Sequence, residues 1–157
     1  MNEVLRIVFL VYFITHIPIT LVLDLQVIFG AYYPGNLRAV ADWYVATYND
    51  QLIGSRPVWL QSFILAEFLF QMPFFFVATY GLLYKRNWLR IPAIIYGVHV
   101  ATTVWAILAE FIMNTENSFQ EKVTLFGFYV PYFVIPVLLA GYMARHNEPF
   151  QKTRKTV

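Results

Sequence analysis

His16-Ile17-Pro18-Ile19-Thr20-Leu21-Val22-Leu23-Asp24-Leu25-Gln26 places an imidazole, a proline and a carboxylate inside an otherwise apolar run. The run extends over residues 7–29 and contains no Lys, Arg or Glu. At ~1.5 Å per helical residue, it exceeds the roughly 30 Å hydrocarbon core of a bilayer. The stretch therefore predicts a membrane-spanning helix that carries an acid at Asp24. Acids inside membrane helices commonly face the bundle interior and mark a ligand, ion or proton site.

The composition of the whole chain agrees with a membrane protein. Of its 157 residues, 59% are hydrophobic and only 13% are charged, against 45–50% apolar residues in typical globular domains. We expect a single domain over residues 1–157. The absence of cysteine excludes disulfides and thiolate metal sites, and a net charge of +2 with no phosphate-binding motif argues against nucleic acid as a partner.

Four apolar runs are long enough to span a bilayer, at about 5–29, 58–84, 89–113 and 123–143. The predicted fold is therefore an all-α integral membrane protein, a four-transmembrane-helix bundle with both termini on one side. Eight of the eleven Lys and Arg residues fall on the side of the termini and three fall opposite. Since positive residues favour the cytosolic side, the N- and C-termini are predicted to be cytosolic.

Residues 30–57, between the first two spans, contain an amphipathic helical pattern of their own. Leu37, Val40, Ala41, Tyr44 and Tyr48 fall on one face, and Asn36 is the predicted N-cap. Such a helix either covers the bundle as a lumenal lid or rests on the lipid interface, and the pattern is compatible with both.

Prolines interrupt the predicted spans at positions that include 18, 73, 131 and 136. Proline removes a backbone hydrogen bond and kinks a helix. We therefore expect kinked helices that leave space for a cavity within the bundle.

Polar residues recur along single helix faces within the spans. His16, Thr20 and Asp24 share one face, Glu67 and Gln71 another, and Tyr96, His99, Thr103 and Glu110 a third. No Lys or Arg lies in the middle of any predicted span, so neither Asp24 nor Glu67 has a cationic partner within the membrane. A pocket that contains both acids is therefore suited to a positively charged ligand, although ordinary interhelical hydrogen bonding explains the His, Thr and Tyr residues equally well.

The sequence gives less support to two other functions for these acids, a metal site and proton-coupled transport. A metal site with His16 and His99 lacks the i, i+3 or i, i+4 Glu/His spacing of bundle metal sites, so no metal and no cofactor are expected. A small proton-coupled transporter needs a polar path across the bilayer, and the cytosolic halves of the second and fourth spans are almost wholly apolar.

The sequence resembles the EXPERA family of small endoplasmic-reticulum membrane proteins over all four spans. The stretches that carry the resemblance are Tyr12-Phe-Ile-Thr-His-Ile-Pro-Ile-Thr, Asp24-Leu-Gln, Trp43-Tyr44 with Asp50, Ser62-Phe with Glu67, Gln71-Met-Pro-Phe-Phe, Ala78-Thr-Tyr, Pro92-Ala-Ile-Ile-Tyr-Gly-Val-His and Tyr129-Val-Pro-Tyr-Phe-Val-Ile-Pro. The resemblance implies a homodimeric receptor of the endoplasmic-reticulum membrane that binds sterols, oxysterols and lipophilic cationic amines and acts in cholesterol homeostasis and sterol trafficking. The Niemann-Pick cholesterol transporter and the LDL receptor are implied protein partners, besides membrane lipid.

The resemblance also implies roles for individual residues. Asp24 matches the carboxylate that pairs with the ligand ammonium, and Asp50 matches a second acid that supports it. His16 lies near the implied pocket. The implied pocket lining comprises Trp43, Tyr44, Tyr48, Glu67, Gln71, Tyr96, Thr103, Tyr129 and Tyr132.

An enzymatic function is the main alternative within the family, which includes a sterol 8,7-isomerase that works through a carbocation. Acidic side chains serve such chemistry because it requires proton donation and removal. The isomerase carries a catalytic histidine one helical turn before the glutamate that Glu67 resembles, and this chain has Phe63 there. We therefore expect a receptor without catalytic residues.

Overall fold

The computed structural model describes residues 1–150, and all regular secondary structure in that part of the chain is helical. Eight α-helices are interrupted or joined by π-helical and 3₁₀ turns. In chain order the elements are α1 (Glu3–Ile19), a π-helical turn (Thr20–Asp24), α2 (Gln26–Phe29), a 3₁₀ turn (Gly30–Tyr32), α3 (Gly35–Tyr48), α4 (Gln51–Ser55), α5 (Val58–Ala66), a second π-helical turn (Glu67–Gln71), α6 (Met72–Leu83), a 3₁₀ turn (Asn87–Leu89), α7 (Arg90–Met113) and α8 (Phe119–Arg145).

Four helical segments are long and apolar enough to cross a membrane: Glu3–Tyr32, Val58–Leu83, Asn87–Met113 and Phe119–Arg145. This confirms the predicted all-α fold with four spans, each within a few residues of its predicted bounds. The Met1 amino group donates a hydrogen bond to the carbonyl oxygen of Pro149, so the first and last described residues meet at one end of the bundle. Lys152, Arg154 and Lys155, which contributed to the predicted orientation, lie outside the described residues.

Polar side chains satisfy the amide groups at two span starts. The side chain of Asn2 accepts a hydrogen bond of 2.8 Å from the amide of Leu5. Ser118 and Glu121 form a reciprocal capping box at the start of α8, which satisfies two otherwise unpaired amides. Asn36 does not cap α3 as predicted, because that helix begins at Gly35, directly after a proline.

The prolines of the first two spans accompany π-helical turns, whereas those of the fourth span do not. Pro18 lies just before the turn Thr20–Asp24, and Pro73 lies just after the turn Glu67–Gln71. Proline has no amide hydrogen to donate, so the helix gives up a hydrogen bond beside each turn. A π-helical turn accommodates one extra residue and is frequent at functional sites. By contrast, α8 continues unbroken through both of its prolines.

The buried core of the bundle consists mainly of aromatic and aliphatic side chains from α1, α6 and α7. Phe9, Phe13, Phe75 and Leu82 are completely buried. On the other side of the bundle, α7 packs closely along α8, where Gly97 is so near the carbonyl of Pro136 that a Cβ would lie 2.5 Å from it.

The amphipathic helix α3 lies across one end of the bundle. Ala41 is buried and Tyr44 and Tyr48 are partly buried, whereas Val40, expected on the same face, is 43% exposed. Residues of α3 line the cavity described below, so α3 covers the bundle as the lid interpretation expected. Its opposite face remains exposed, as expected of a helix at a lipid interface.

Candidate functional site

A cavity of about 310 Å³ lies between the four spans and α3. Its volume is in the range of small-molecule sites, which are mostly apolar with a few convergent polar groups. The polar lining residues are His16, Asp24, Tyr44, Glu67, Gln71, Thr103, Tyr129 and Tyr132. The apolar lining residues are Ile19, Leu23, Ala41, Ile53, Leu60, Phe63, Ile64, Val100, Val104, Ile107 and Phe128.

The two π-helical turns bring both membrane acids to this cavity. Asp24 is the last residue of the first turn and Glu67 is the first residue of the second. The Thr20 hydroxyl donates a hydrogen bond of 2.5 Å to Oε1 of Glu67, and Nε2 of His16 lies 3.6 Å from the same oxygen. One potential ligand atom from each of His16, Asp24 and Glu67 lies within 4.8 Å of the other two.

No lysine or arginine neutralises these acids within residues 1–150. The Lys and Arg salt bridges of that part of the chain are Arg6–Glu3 and Lys85–Glu3, at the end where the termini meet. The acidic pair is therefore available to a cation that enters the cavity.

Asp50 lies behind the cavity wall and is completely buried. As the N-cap of α4, its Oδ1 accepts hydrogen bonds from the amides of Leu52 and Ile53, at 3.1 and 3.0 Å. Its Oδ2 accepts hydrogen bonds from the hydroxyls of Tyr44, at 3.1 Å, and Tyr129, at 3.0 Å. Asp50 thereby connects α3 and α8, whose two tyrosines line the cavity.

Burial is the main influence on the ionisation of the Asp50 carboxyl. It raises the pKa of Asp50 above its usual value, and the four hydrogen bonds oppose the rise without cancelling it. Burial and the nearby Asp50 carboxyl likewise raise the pKa of Tyr44. Tyr44 therefore remains a hydrogen-bond donor at physiological pH.

Aromatic contacts hold the imidazole of His16 in place beside Glu67. Its ring stacks on Phe75 with the centroids 4.7 Å apart, and it contacts Tyr132 edge to face at 4.8 Å. Tyr12 makes a further edge contact at 5.1 Å. The resemblance implied only that His16 lies near the pocket. In the structure His16 lines the cavity itself.

Most of the predicted site residues line the cavity, and four do not. Trp43 is 58% exposed on the outer face of α3, and Tyr48 packs edge to face on Phe128. Tyr96 is buried outside the lining, where its hydroxyl is 3.0 Å from that of Tyr12. Asp50 lies outside the lining and is joined to it by the hydrogen bonds from Tyr44 and Tyr129. The predicted stripe on the third span also divides, because Glu110 is exposed while Thr103 is buried.

Sequence reasoning missed most of the apolar lining. Phe63, Ile64, Val104 and Phe128 resemble the many other apolar residues of the spans, and for most of them nothing in the spacing distinguishes cavity-facing from lipid-facing positions. The signal that existed was the one-turn spacing of Phe63 and Glu67, which places them on the same helix face. Whether such a face lines a cavity depends on the neighbouring helices.

The fold and the site define a small four-span membrane protein with an acidic, aromatic-walled cavity beneath a covering helix. The chain belongs to the EXPERA family, described as the expanded EBP superfamily, whose family model matches residues 36–143. This confirms the resemblance found from the sequence.

Individual relatives agree with this assignment. The chain is 38% identical to human Sigma intracellular receptor 2 over 90% of this chain and 86% of the relative. It is 38% identical to the receptor of the same name from Xenopus tropicalis over 94% of both chains. It is also 32% identical to Efficient mitochondria targeting-associated protein 19 of Saccharomyces cerevisiae, over 83% of this chain and 92% of the relative.

Proposed function

We propose that this protein is an intramembrane receptor that binds lipophilic cationic amines and sterols in the cavity between its spans. The observation that carries the proposal is the pair of acids, Asp24 and Glu67, at one apolar cavity with no Lys or Arg partner in residues 1–150. Similarity to Sigma intracellular receptor 2 supports a receptor role.

Asp24 is the proposed ionic anchor for the ligand ammonium. A charge-assisted hydrogen bond to a carboxylate is roughly twice as strong as a neutral one, and the partly desolvated site strengthens it further. Tyr132, Phe63 and Phe128 offer aromatic faces around the cavity, which attract cations through their quadrupole. The aliphatic lining then accommodates the apolar body of the amine.

A sterol fits the same chemistry with a different polar contact. Its hydroxyl both donates and accepts a hydrogen bond, and Asp24, Glu67 and Thr103 lie among the cavity residues that provide partners. Its rigid apolar rings would pack against the aliphatic lining contributed by α5 and α7. Sterols and amines would therefore exclude each other from one site.

The cellular setting of the proposal rests on the family. We place the protein in the endoplasmic-reticulum membrane as a homodimer with cytosolic termini, acting in cholesterol homeostasis and sterol trafficking. The Niemann-Pick cholesterol transporter and the LDL receptor are the proposed protein partners. Protease protection of tags at the two termini, in microsomes, tests the orientation.

Binding of a radiolabelled lipophilic amine to the purified full chain tests the proposed function. Asp24→Asn should weaken the affinity at least roughly 30-fold, because losing one partner of a desolvated charge pair costs about 2–5 kcal/mol. Asp42→Asn is the matched control, since Asp42 is an exposed acid of α3 outside this cavity. Equal amine affinity in Asp24→Asn and the unchanged protein would refute the proposal.

A sterol isomerase is the second candidate, and one contact favours it. Although Phe63 occupies the position of the isomerase histidine, His16 of the first span brings an imidazole within 3.6 Å of Glu67. An acid and a base at one cavity could protonate a sterol double bond and remove a proton from a neighbouring carbon. Expression in cells that lack sterol 8,7-isomerase tests this reaction: the receptor proposal expects no restoration of sterol synthesis, and restoration would favour the enzyme.

A further inference from the structure

The side chains of His16, Asp24 and Glu67 provide three donor atoms of the kinds that bind transition metals. We propose that they form a binding site for one divalent transition-metal ion, such as Zn²⁺, at the floor of the cavity. This inference is separate from amine binding, because it requires His16 and makes a metal ion a ligand in its own right.

The donor set matches the chemistry of zinc. Zinc in proteins is bound by His nitrogen at about 2.0–2.1 Å and by carboxylate oxygen at about 2.0–2.2 Å, so two donors of a tetrahedral ion lie about 3.3 Å apart. Nε2 of His16 and Oε1 of Glu67 are 3.6 Å apart. The third donor, from Asp24, lies within 4.8 Å of both, so rotation of one short side chain would close the triangle.

His16 provides an independent indication of a ligand. The residue is only 6% exposed, and its Nδ1 is buried without a hydrogen-bond partner. Its Nε2 points toward Glu67 at a distance too long for a hydrogen bond. The aromatic rings of Phe75 and Tyr132 fix the imidazole in this orientation. Nε2 therefore has no hydrogen bond of its own within residues 1–150 and is held in position to bind a ligand at the cluster, whereas Nδ1 stays without a partner whether or not a metal binds.

The charges of the cluster also favour a divalent ion. Two carboxylates and a neutral imidazole balance a charge of +2, and no Lys or Arg of residues 1–150 forms a salt bridge with either acid. Thr20 donates to Oε1 of Glu67 and thereby orients the carboxylate, as supporting hydrogen bonds do for metal ligands. The cavity leaves the fourth position open for water, as in zinc sites with three protein ligands.

The same geometry sets the expected strength of binding. Metal-bound histidines normally donate the other ring N–H to an acceptor, and loss of such a partner costs 10–100-fold in metal affinity. Since Nδ1 of His16 has no acceptor among the described residues, the site should bind zinc more weakly than a structural zinc site. An amine at Asp24 and a metal at all three residues would compete.

Zinc titration of the full chain tests the inference directly. The protein is purified in detergent without a histidine tag, treated with a chelator, and titrated with Zn²⁺ against a fluorescent zinc chelator. We expect one Zn²⁺ per chain, with affinity lowered at least roughly tenfold by His16→Gln. His99→Gln is the matched control, because His99 is likewise a span histidine with an unpartnered buried nitrogen but belongs to no such cluster within residues 1–150.

Two further measurements test the metal site if the His16→Gln variant does not fold. Glu67→Gln should also weaken zinc binding, and X-ray absorption of the zinc complex of the unchanged protein should show one imidazole per metal. The inference is overturned by absence of Zn²⁺ binding, by binding that is unaltered in a folded His16→Gln variant, or by a spectrum without imidazole. Because metal is measured without any amine, these outcomes are distinguishable from failure of the receptor proposal.

Discussion

The Thr20 hydroxyl donates a 2.5 Å hydrogen bond to Oε1 of Glu67 and thereby links the π-helical turns of the first and second spans. Each turn also carries one cavity acid, so this hydrogen bond joins the two backbone elements that carry Asp24 and Glu67. Thr20 is completely buried. The hydroxyl end of this hydrogen bond is therefore shielded from water, and the bond as a whole is partly buried, so loss of either partner would be costly.

Replacing Thr20 by valine should destabilise the protein and disturb the site. Valine has a similar shape but no hydroxyl, so Glu67 loses a buried donor, at a cost of about 1–3 kcal/mol. We expect a lower thermal unfolding midpoint and weaker amine binding. Thr102→Val is the control, because Thr102 is an exposed residue of α7 whose hydroxyl bonds its own helix at the carbonyl of Val98. Equal midpoints for both variants would contradict the proposed role of the link.

Asp50 should make the stability of the protein depend on pH. Its pKa in the folded protein is above the usual value of 3.8, so the folded state binds more protons than the unfolded chain between the two values. The free energy of unfolding therefore falls as pH rises through this window and remains lower above it. Thermal unfolding midpoints measured across acidic and neutral pH should show a smaller fall for Asp50→Asn. The control Asp42→Asn, at an exposed acid, should retain the full fall.

Removal of the Tyr44 hydroxyl should loosen α3. This hydroxyl donates to Asp50 at 3.1 Å, and a net hydrogen bond contributes about 0.5–1.5 kcal/mol, so amide hydrogen exchange in α3 should accelerate roughly two- to tenfold in Tyr44→Phe. Tyr48→Phe alters the same helix one turn later, at a hydroxyl with no side-chain partner within residues 1–150. Similar acceleration in both variants would show that the hydrogen bond from Tyr44 to Asp50 does not restrain α3.

Gly97 should be required for the packing of α7 on α8. A Cβ at this position would lie 2.5 Å from the carbonyl oxygen of Pro136 and 2.7 Å from Cβ of Ala140, so Gly97→Ala should destabilise the protein by about 1–3 kcal/mol through overpacking. Gly127→Ala is the control within α8, where nothing lies within 4 Å of the added carbon. That variant should be neutral or gain up to about 1 kcal/mol from helix propensity. Thermal unfolding of the two variants should therefore shift in opposite directions or by clearly different amounts.

The spans and their order were predictable from the sequence because a bilayer imposes a simple requirement. A helix that satisfies its own backbone hydrogen bonds must remain apolar for about 20 residues, and a run of that kind is visible without knowledge of its neighbours. Asp24 and Glu67 were recognisable for the same reason, since an acid in such a run stands out against an apolar background.

Which prolines accompany a π-helical turn was not predictable from the local sequence. Pro18 and Pro73 accompany π-helical turns, whereas Pro131 and Pro136 lie within an unbroken helix. All four lack the same amide hydrogen, so the backbone chemistry is identical. The presence of proline alone therefore does not predict a π-helical turn.

The chain by itself determined that this protein is a four-span membrane bundle with acids inside its spans, among them Asp24 and Glu67. Only the tertiary structure decided that His16, Asp24 and Glu67 converge, that Asp50 accepts hydrogen bonds from Tyr44 and Tyr129, and that Trp43 faces outward. Periodicity assigns a residue to a face of its own helix, whereas a site is created by the rotation and distance of one helix relative to another. Those two quantities depend on long-range packing, so they are absent from the spacing of residues along any single span.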